Sequence, residues 1–343
     1  MKLARDFFLK EHFDVPDSLE DKKQIFKHSV SNIVVEISSH CNRKCSYCPV
    51  SKVDRSSSNK ILPDEILKRL LFDLASIGYE RGICLNLYNE PSSDRELLLS
   101  RIKEFRTALP KSRIYFSTNG DYLDREYLRA MVHAGLSELY ITLHTPKGKP
   151  YTDAYAIHRL TEIAVRLGKS VKVNAFAHQQ TLQGLISIFG IKVNVFSTNY
   201  DVFGSNRAGS VDNPAMQRQS RVAPCDRPFE DFTISYDGTI FPCCQMFVDD
   251  ESHKANFSVG NLSEHESIFE IYASPKMASW RSSLLRYGPK ASPCDVCSEA
   301  NVPGTPDQIA QRLEIFQTFV GDRSFDTQVS RKFSRIFRLL QRS

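Results

Sequence analysis

Between residues 32 and 198 the apolar positions switch repeatedly between two periods. Short runs rich in β-branched residues read as strands at 32–39 (NIVVEISS), 82–90 (GICLNLYNE), 113–120 (RIYFSTNG), 138–145 (ELYITLHT), 170–178 (SVKVNAFAH) and 191–198 (IKVNVFST). Helical spacing predicts helices at 62–78, 92–109, 124–135 and 151–168, with a weaker one near 180–189. Local signals agree. Pro63 suits a first turn, serine is available to cap 92–109, and Asp124 and Gly135 bracket the third helix. Six strands with helical crossovers predict an α/β fold: a parallel sheet wound right-handedly, with function at the C-terminal strand ends. Six units suit a partial (β/α)6 barrel better than a closed one of eight.

From about residue 205 the pattern changes. A loop-like stretch precedes FEDFTISYDGTIFPCCQ, which reads as a β-hairpin turning at Asp237-Gly238. The expected organisation is an N-terminal extension (1–31), the barrel (32–210), a small cysteine-bearing module (211–300) and a basic helical tail (301–343). In the last fourteen residues, Phe333, Ile336, Phe337 and Leu340 follow helical spacing, as expected of a terminal helix packing on the body; contact with membrane or RNA is the alternative.

Charge sharpens this only locally. The net charge is +5, and the last fourteen residues hold five of the 45 Lys and Arg residues and no acid; without them bases and acids balance at 40 each. There is no basic patch elsewhere, so no nucleic-acid partner is expected. The N-terminus lacks the apolar core of a signal peptide, and no apolar run approaches the ~18 residues of a membrane span. A cytoplasmic protein is expected.

Nine cysteines without a secretion signal argue for metal or cluster ligation rather than a disulfide framework. Cys41, Cys45 and Cys48 follow the first strand. A closed zinc site normally takes four protein ligands, whereas three thiolates can hold three irons of a 4Fe–4S cluster and leave the fourth open. On these cysteines alone, zinc or a structural cluster remains an alternative. Alternation along the second strand puts Cys84, Asn86, Tyr88 and Glu90 on one face and Ile83, Leu85 and Leu87 on the other, the polar face toward the lumen. Cys84 is either a small buried hydrophobe or a hydrogen-atom donor.

CNRKCSYC, with its aromatic residue before the last cysteine, resembles the radical S-adenosylmethionine (SAM) superfamily. The resemblance covers roughly residues 32–210. It implies that Cys41, Cys45 and Cys48 hold a 4Fe–4S cluster whose open iron chelates SAM, and that reductive cleavage of SAM yields a 5′-deoxyadenosyl radical that takes hydrogen from the substrate. It places Tyr47 against the adenine. YNEP (88–91) stands where the family often has GGEP, so Glu90 would bind the SAM amino group. STNG puts Ser117, Thr118 and Asn119 near the methionyl or ribose groups, and Asn174 holds a fifth-strand position that often meets the ribose. The C-terminal cysteines resemble a twitch domain, the shorter relative of SPASM: Cys225, twelve residues, Gly238, four residues, Cys243, then the CDVC pair Cys294 and Cys297. This implies one auxiliary 4Fe–4S cluster. Read on their own, four thiolates could equally hold zinc. Cys244 is spare: a buried neighbour, an alternate ligand or a donor thiol.

Two enzyme readings follow. The first is modification of a ribosomally made peptide by crosslinking, epimerisation or excision. Only about thirty residues precede the first strand, so a separate leader-peptide-binding protein would then be needed. The alternative is dehydrogenation or epimerisation of a small sugar or aminocyclitol. Arg207 is a candidate contact to substrate or to the SAM carboxylate, or else a surface arginine; His144 is a candidate general base, or else a packing residue. A reductant such as flavodoxin or ferredoxin is expected. A non-catalytic metal scaffold would leave the Glu-Pro and STNG motifs without purpose.

Overall fold

A computed structural model of the chain describes residues 12–212, 221–222, 225–285 and 288–297. The first helix, α1 (Leu19–Ser29), is capped by the Ser18 hydroxyl accepting from the Asp21 amide, with acids in its first turn and Lys27 and His28 in its last. It delivers the chain to β1 (Asn32–Val35). Next come α2 (Asp64–Ser76), β2 (Gly82–Cys84), α3 (Arg95–Ala108), β3 (Arg113–Thr118), α4 (Arg125–Ala134) and β4 (Glu138–Thr142). Strands β1 to β4 are neighbours and parallel, each pair joined by a helix as expected.

The next crossover departs from the expected repeat. Helix α5 (Asp153–Leu167) leads to β5 (Lys172–Ala177), but β5 does not pair with β4. Instead β5, β6 (Thr181–Ile188) and β7 (Ile191–Thr198) form an antiparallel meander, and β7 returns to lie parallel to β4. The segment expected to be a weak helix near 180–189 is therefore β6. Its burial alternates with period two, Leu182, Ile186 and Ile188 pointing inward. A two-residue hairpin turn closes it, Phe189 at φ 51° and Gly190 at φ 82°. That left-handed pair is the twist-matched turn, but Phe-Gly lacks the asparagine or aspartate that would have marked it.

The sixth parallel strand comes from beyond residue 210. Helix α6 (Arg227–Glu230) precedes β8 (Asp231–Ile234), which pairs parallel with β1, from Asn32 opposite Asp231 to Val35 opposite Ile234. The expected hairpin adds β9 (Thr239–Phe241), and β10 (Gly260–Asn261) follows helix α7 (Glu251–Phe257). One ten-stranded sheet results, in the order β10-β9-β8-β1-β2-β3-β4-β7-β6-β5. Gly238 is required at the hairpin turn: its φ is 83°, and a Cβ there would meet Ile66 Cδ1 at 2.5 Å.

Helices α8 (Ile268–Tyr272) and α9 (Pro275–Leu285) complete the described chain. Phe26 of α1 packs edge-on against Phe232, Phe269 and Tyr272, with ring centroids 5.4, 5.3 and 5.1 Å away. These contacts join the N-terminal helix to the C-terminal elements through buried aromatic surface. Strand β2 is shorter than expected and leaves the ladder after Cys84. Residues 86–90 are thus placed by a loop, not by alternation, and the Leu87 amide bonds the Asn89 side chain at 3.2 Å. The basic tail expected at 330–343 lies outside the described residues.

Candidate active site

The C-terminal ends of β1 to β4 meet at one place. The loop after β1 carries Cys41, Cys45 and Cys48 and is folded by its own backbone: the Cys48 amide donates to Cys45 O at 3.0 Å, and Cys41 donates to Arg55 O at 3.1 Å. Side chains pin it to the loop after β3. Arg43 forms a two-pronged pair with Asp121 (2.8 and 2.6 Å), Asn42 donates to the same carboxylate at 2.8 Å, and Asn119 donates to Asn42 Oδ1 at 2.8 Å. Each of the three cysteines has its thiol pushed up, first by burial; for Cys41 the value is about 12. Iron binding would therefore have to displace protons.

Glu90 is 3% exposed and ties three strand ends together. Its carboxylate accepts from the Ser92 hydroxyl (2.5 Å) and amide (3.1 Å), the Thr118 hydroxyl (2.6 Å) and the Asn119 amide (2.7 Å). Its own amide donates to His40 O at 2.7 Å. Burial pushes this carboxyl up while those donors favour its charged form. Glu90 and Thr118 thus hold each other, and the Ser117 amide donates to Asn86 Oδ1 at 2.8 Å.

Asn174 is not brought here. It sits exposed on β5, the outermost strand, at a break in register between Val173 and Ala175. The assignment to a fifth parallel strand failed because the chain inserts a meander before returning to the sheet.

Tyr47 stacks on Tyr200, centroids 3.9 Å apart and planes 17° off parallel, and its hydroxyl lies 2.5 Å from His144 Nδ1. Tyr47 and Tyr200, with Arg43, Tyr151 and Lys147, line an open cleft beside the cysteine loop. Burial holds the His144 imidazole down to about 3. In this structure His144 is a hydrogen-bonding and stacking partner of Tyr47. Tyr200, just past β7, carried no signal in the sequence.

The second cysteine set also converges. Cys225 precedes α6, Cys243 follows β9, and a turn at 291–297 presents Cys294 and Cys297. Cys294 feels the charges of Cys225 and Cys297, and Cys243 that of Cys225. Cys244 shares a hydrogen bond with Cys243, and its carbonyl accepts from Tyr88 Oη at 3.1 Å. Cys84 is buried beside it, its thiol pushed up to about 12. Among the described residues no three His, Cys, Asp or Glu side chains are gathered around a single metal position. A cubane needs no such point, since each of its irons takes its own thiolate. Three thiols in one loop, and four brought together from three segments, fit two such clusters, one with an open iron.

Two arginines join the halves. Arg207 lies with φ 49°, left-handed for a non-glycine, followed by Ala208 at 52°. Its guanidinium reaches Gln245 Oε1 at 3.3 Å, lies 5.8 Å from the Tyr88 ring centroid, and its charge is felt by Cys48 of one set and Cys244 of the other. Arg207 was a candidate from its local sequence, but its position between the sets was not. Arg55 was no candidate. It is 2% exposed and pairs with Glu36 of the β1 end at 2.6 Å and Asp249 at 2.7 Å.

Comparison with known proteins bears on both halves. A family model described as the radical SAM superfamily matches residues 35–191, and one described as an iron–sulfur cluster-binding SPASM domain matches residues 225–298. The S-adenosyl-L-methionine-dependent 2-deoxy-scyllo-inosamine dehydrogenase of Niallia circulans is 25% identical over 273 residues, 79% of this chain and 92% of that protein. The crystal structure of BtrN in complex with AdoMet and 2-DOIA is 23% identical, covers 80% of this chain and 94% of that one, and gives a TM-score of 0.56. The structure of Streptococcus suis SuiB bound to S-adenosylmethionine is 14% identical, covers 75% of this chain and 68% of that one, with a TM-score of 0.41. The α/β radical SAM fold and the C-terminal iron–sulfur module expected from the sequence are both found.

Proposed function

Because the chain is a radical SAM enzyme with a C-terminal SPASM-type iron–sulfur domain, whose cofactors are SAM and 4Fe–4S clusters, we propose that it dehydrogenates a secondary alcohol of an aminocyclitol or similar small polyol. The carrying observation is the likeness to the 2-deoxy-scyllo-inosamine dehydrogenase over 92% of that protein's length. At 273 residues it extends well beyond the barrel segment. Of the two substrate classes expected from the sequence, this favours the small molecule over the peptide.

On this reading Cys41, Cys45 and Cys48 hold the SAM-binding cluster, and Cys225, Cys243, Cys294 and Cys297 hold the auxiliary one. When bound, these groups supply a 5′-deoxyadenosyl radical and a one-electron acceptor. The chain's own residues do the rest. The Glu90–Asn119–Asn42–Asp121–Arg43 network fixes the cysteine loop on the strand ends. Tyr47, oriented by His144 and Tyr200, offers a flat face for the adenine. Arg207, held by Gln245 and lying near Tyr88 between the cysteine sets, donates hydrogen bonds to the substrate hydroxyl. The substrate loses one hydrogen atom from its carbinol carbon, one proton from oxygen and one electron, giving a carbonyl. A flavodoxin- or ferredoxin-type donor supplies the electron that cleaves SAM.

The test is isotopic. With SAM, a reductant and aminocyclitols deuterated at each carbinol carbon, one position should pass deuterium into 5′-deoxyadenosine with an equal yield of ketone. Deuterium transfer from a peptide substrate, with none from any polyol, would overturn the proposal.

A further inference from the structure

The second cysteine set lies among cations that no step above uses. Arg221 is 5% exposed. Its amide donates to Asp295 O at 2.7 Å, which anchors it on the CDVC turn. Its side chain hydrogen-bonds the Cys225 sulfur and faces Cys297 and Cys294 as well. Lys290, 8% exposed, is braced by Ser283 O at 3.4 Å and lies within electrostatic reach of Cys294 and Cys225. Arg227 reaches toward Cys243 and Cys244 but is paired with Asp231 at 2.8 Å. Acids are present too: Asp226 beside Cys225 and Asp295 beside Cys294. At both thiols the effect of Arg221 outweighs that of the acid.

We propose that Arg221, with Lys290 beside it, sets the reduction potential of the auxiliary cluster and makes it an electron acceptor. A cubane held by four thiolates gains one negative charge on reduction. A buried cation stabilises the more negative state, and does so strongly where water does not screen it. A hydrogen bond to a ligating sulfur acts in the same direction, because it withdraws charge from the iron. Arg221 supplies both effects and Lys290 the first. The inference rests on reading these four thiols as cluster ligands and deepens the oxidative role proposed above: the electron released by the substrate goes to a site whose surroundings favour its arrival.

The experiment is a redox titration of the anaerobically loaded enzyme, followed by electron paramagnetic resonance without substrate. SAM perturbs one 4Fe–4S signal and leaves the auxiliary one unchanged, so the two are told apart. Arg221→Gln and Lys290→Gln should each move the SAM-insensitive signal to a more negative midpoint. Lys290→Arg should keep the wild-type midpoint, and Asp295→Asn should move it the opposite way. An unchanged midpoint in both neutral variants, at wild-type iron content, would overturn the inference. So would Lys290→Arg shifting as far as Lys290→Gln, or losing the cluster as that variant does, because packing rather than charge would then be responsible. If Arg221→Gln fails to load, the two Lys290 variants decide. Absence of any SAM-insensitive signal in the wild type would instead refute the ligand assignment, and neither result depends on the substrate.

Discussion

Arg55→Met is the most informative single change outside the cysteines. The guanidinium pairs with Glu36 at 2.6 Å and Asp249 at 2.7 Å, and lies 4.6 Å from the Phe247 ring centroid and 5.2 Å from that of Tyr236. Glu36 is fully buried, and its other described donor is the Tyr88 amide at 3.0 Å. Burial already pushes the Glu36 carboxyl up, with Arg55 as the main opposing influence. Methionine would fill much of the volume but strand that carboxyl. Removing one partner of a buried ion pair costs about 3–5 kcal/mol, mostly from the charge left behind. With a urea slope of about 3 kcal/mol per M, the unfolding midpoint of the loaded enzyme should fall by at least ~1 M. Adding Glu36→Gln should recover about 1–3 kcal/mol, since the stranded charge is then gone. The assay is urea unfolding followed by circular dichroism at matched iron content. A loss below about 1 kcal/mol for the single variant, as for a surface pair, would refute the reasoning. So would a double variant less stable than the single one.

Three other outcomes follow from the site. Glu90→Gln sets an amide donor against the Asn119 amide, so SAM affinity measured by equilibrium dialysis should fall by about tenfold or more, roughly 1.4 kcal/mol. Cys244→Ser should retain about eight irons per chain after anaerobic loading, whereas Cys243→Ser should fall to about four. His144 is held down to about 3, below the ~6.5 of an unfolded histidine, so the unfolded chain binds the extra proton as pH drops below 6.5. Stability should therefore be full above that value and decline from pH 6.5 toward 5 by up to about 1.4 kcal/mol per unit, and His144→Gln should flatten this stretch of the thermal-unfolding profile.

Much of the site was legible because its chemistry is local. Cys41, Cys45 and Cys48 share one short loop after the first strand, and STNG ends the third, so the strand pattern placed both at strand ends, whereas Asp121, which pairs with Arg43, carried no signal. The first four strands and their helices were equally readable, since each pairs with its neighbour in sequence. The failures have one cause. Alternation holds only while a segment stays in its ladder, and β2 leaves it after Cys84, so the face of Tyr88 and Glu90 was decided by a loop. Period-two burial marks β6 as a strand, yet nothing local says that β7, not β5, joins β4, and this is what stranded Asn174 on the edge.

The sequence by itself determined the reagents: three thiols with an open position, four more around a hairpin, and a carboxylate at a strand end. Only the tertiary structure decided how they face one another. It made β8 the sixth parallel strand, which brings Cys243 and Cys244 over the barrel. It buried Arg55 between β1 and the C-terminal module, set Arg207 between the two cysteine sets, and laid Arg221 against Cys225. The physical reason is that electrostatic and hydrogen-bonding partners are chosen by proximity in space, and a buried charge leaves no periodic trace along the chain. A ligand motif is contiguous and can be read in sequence; the charges around the sites it builds come from residues up to 194 positions apart.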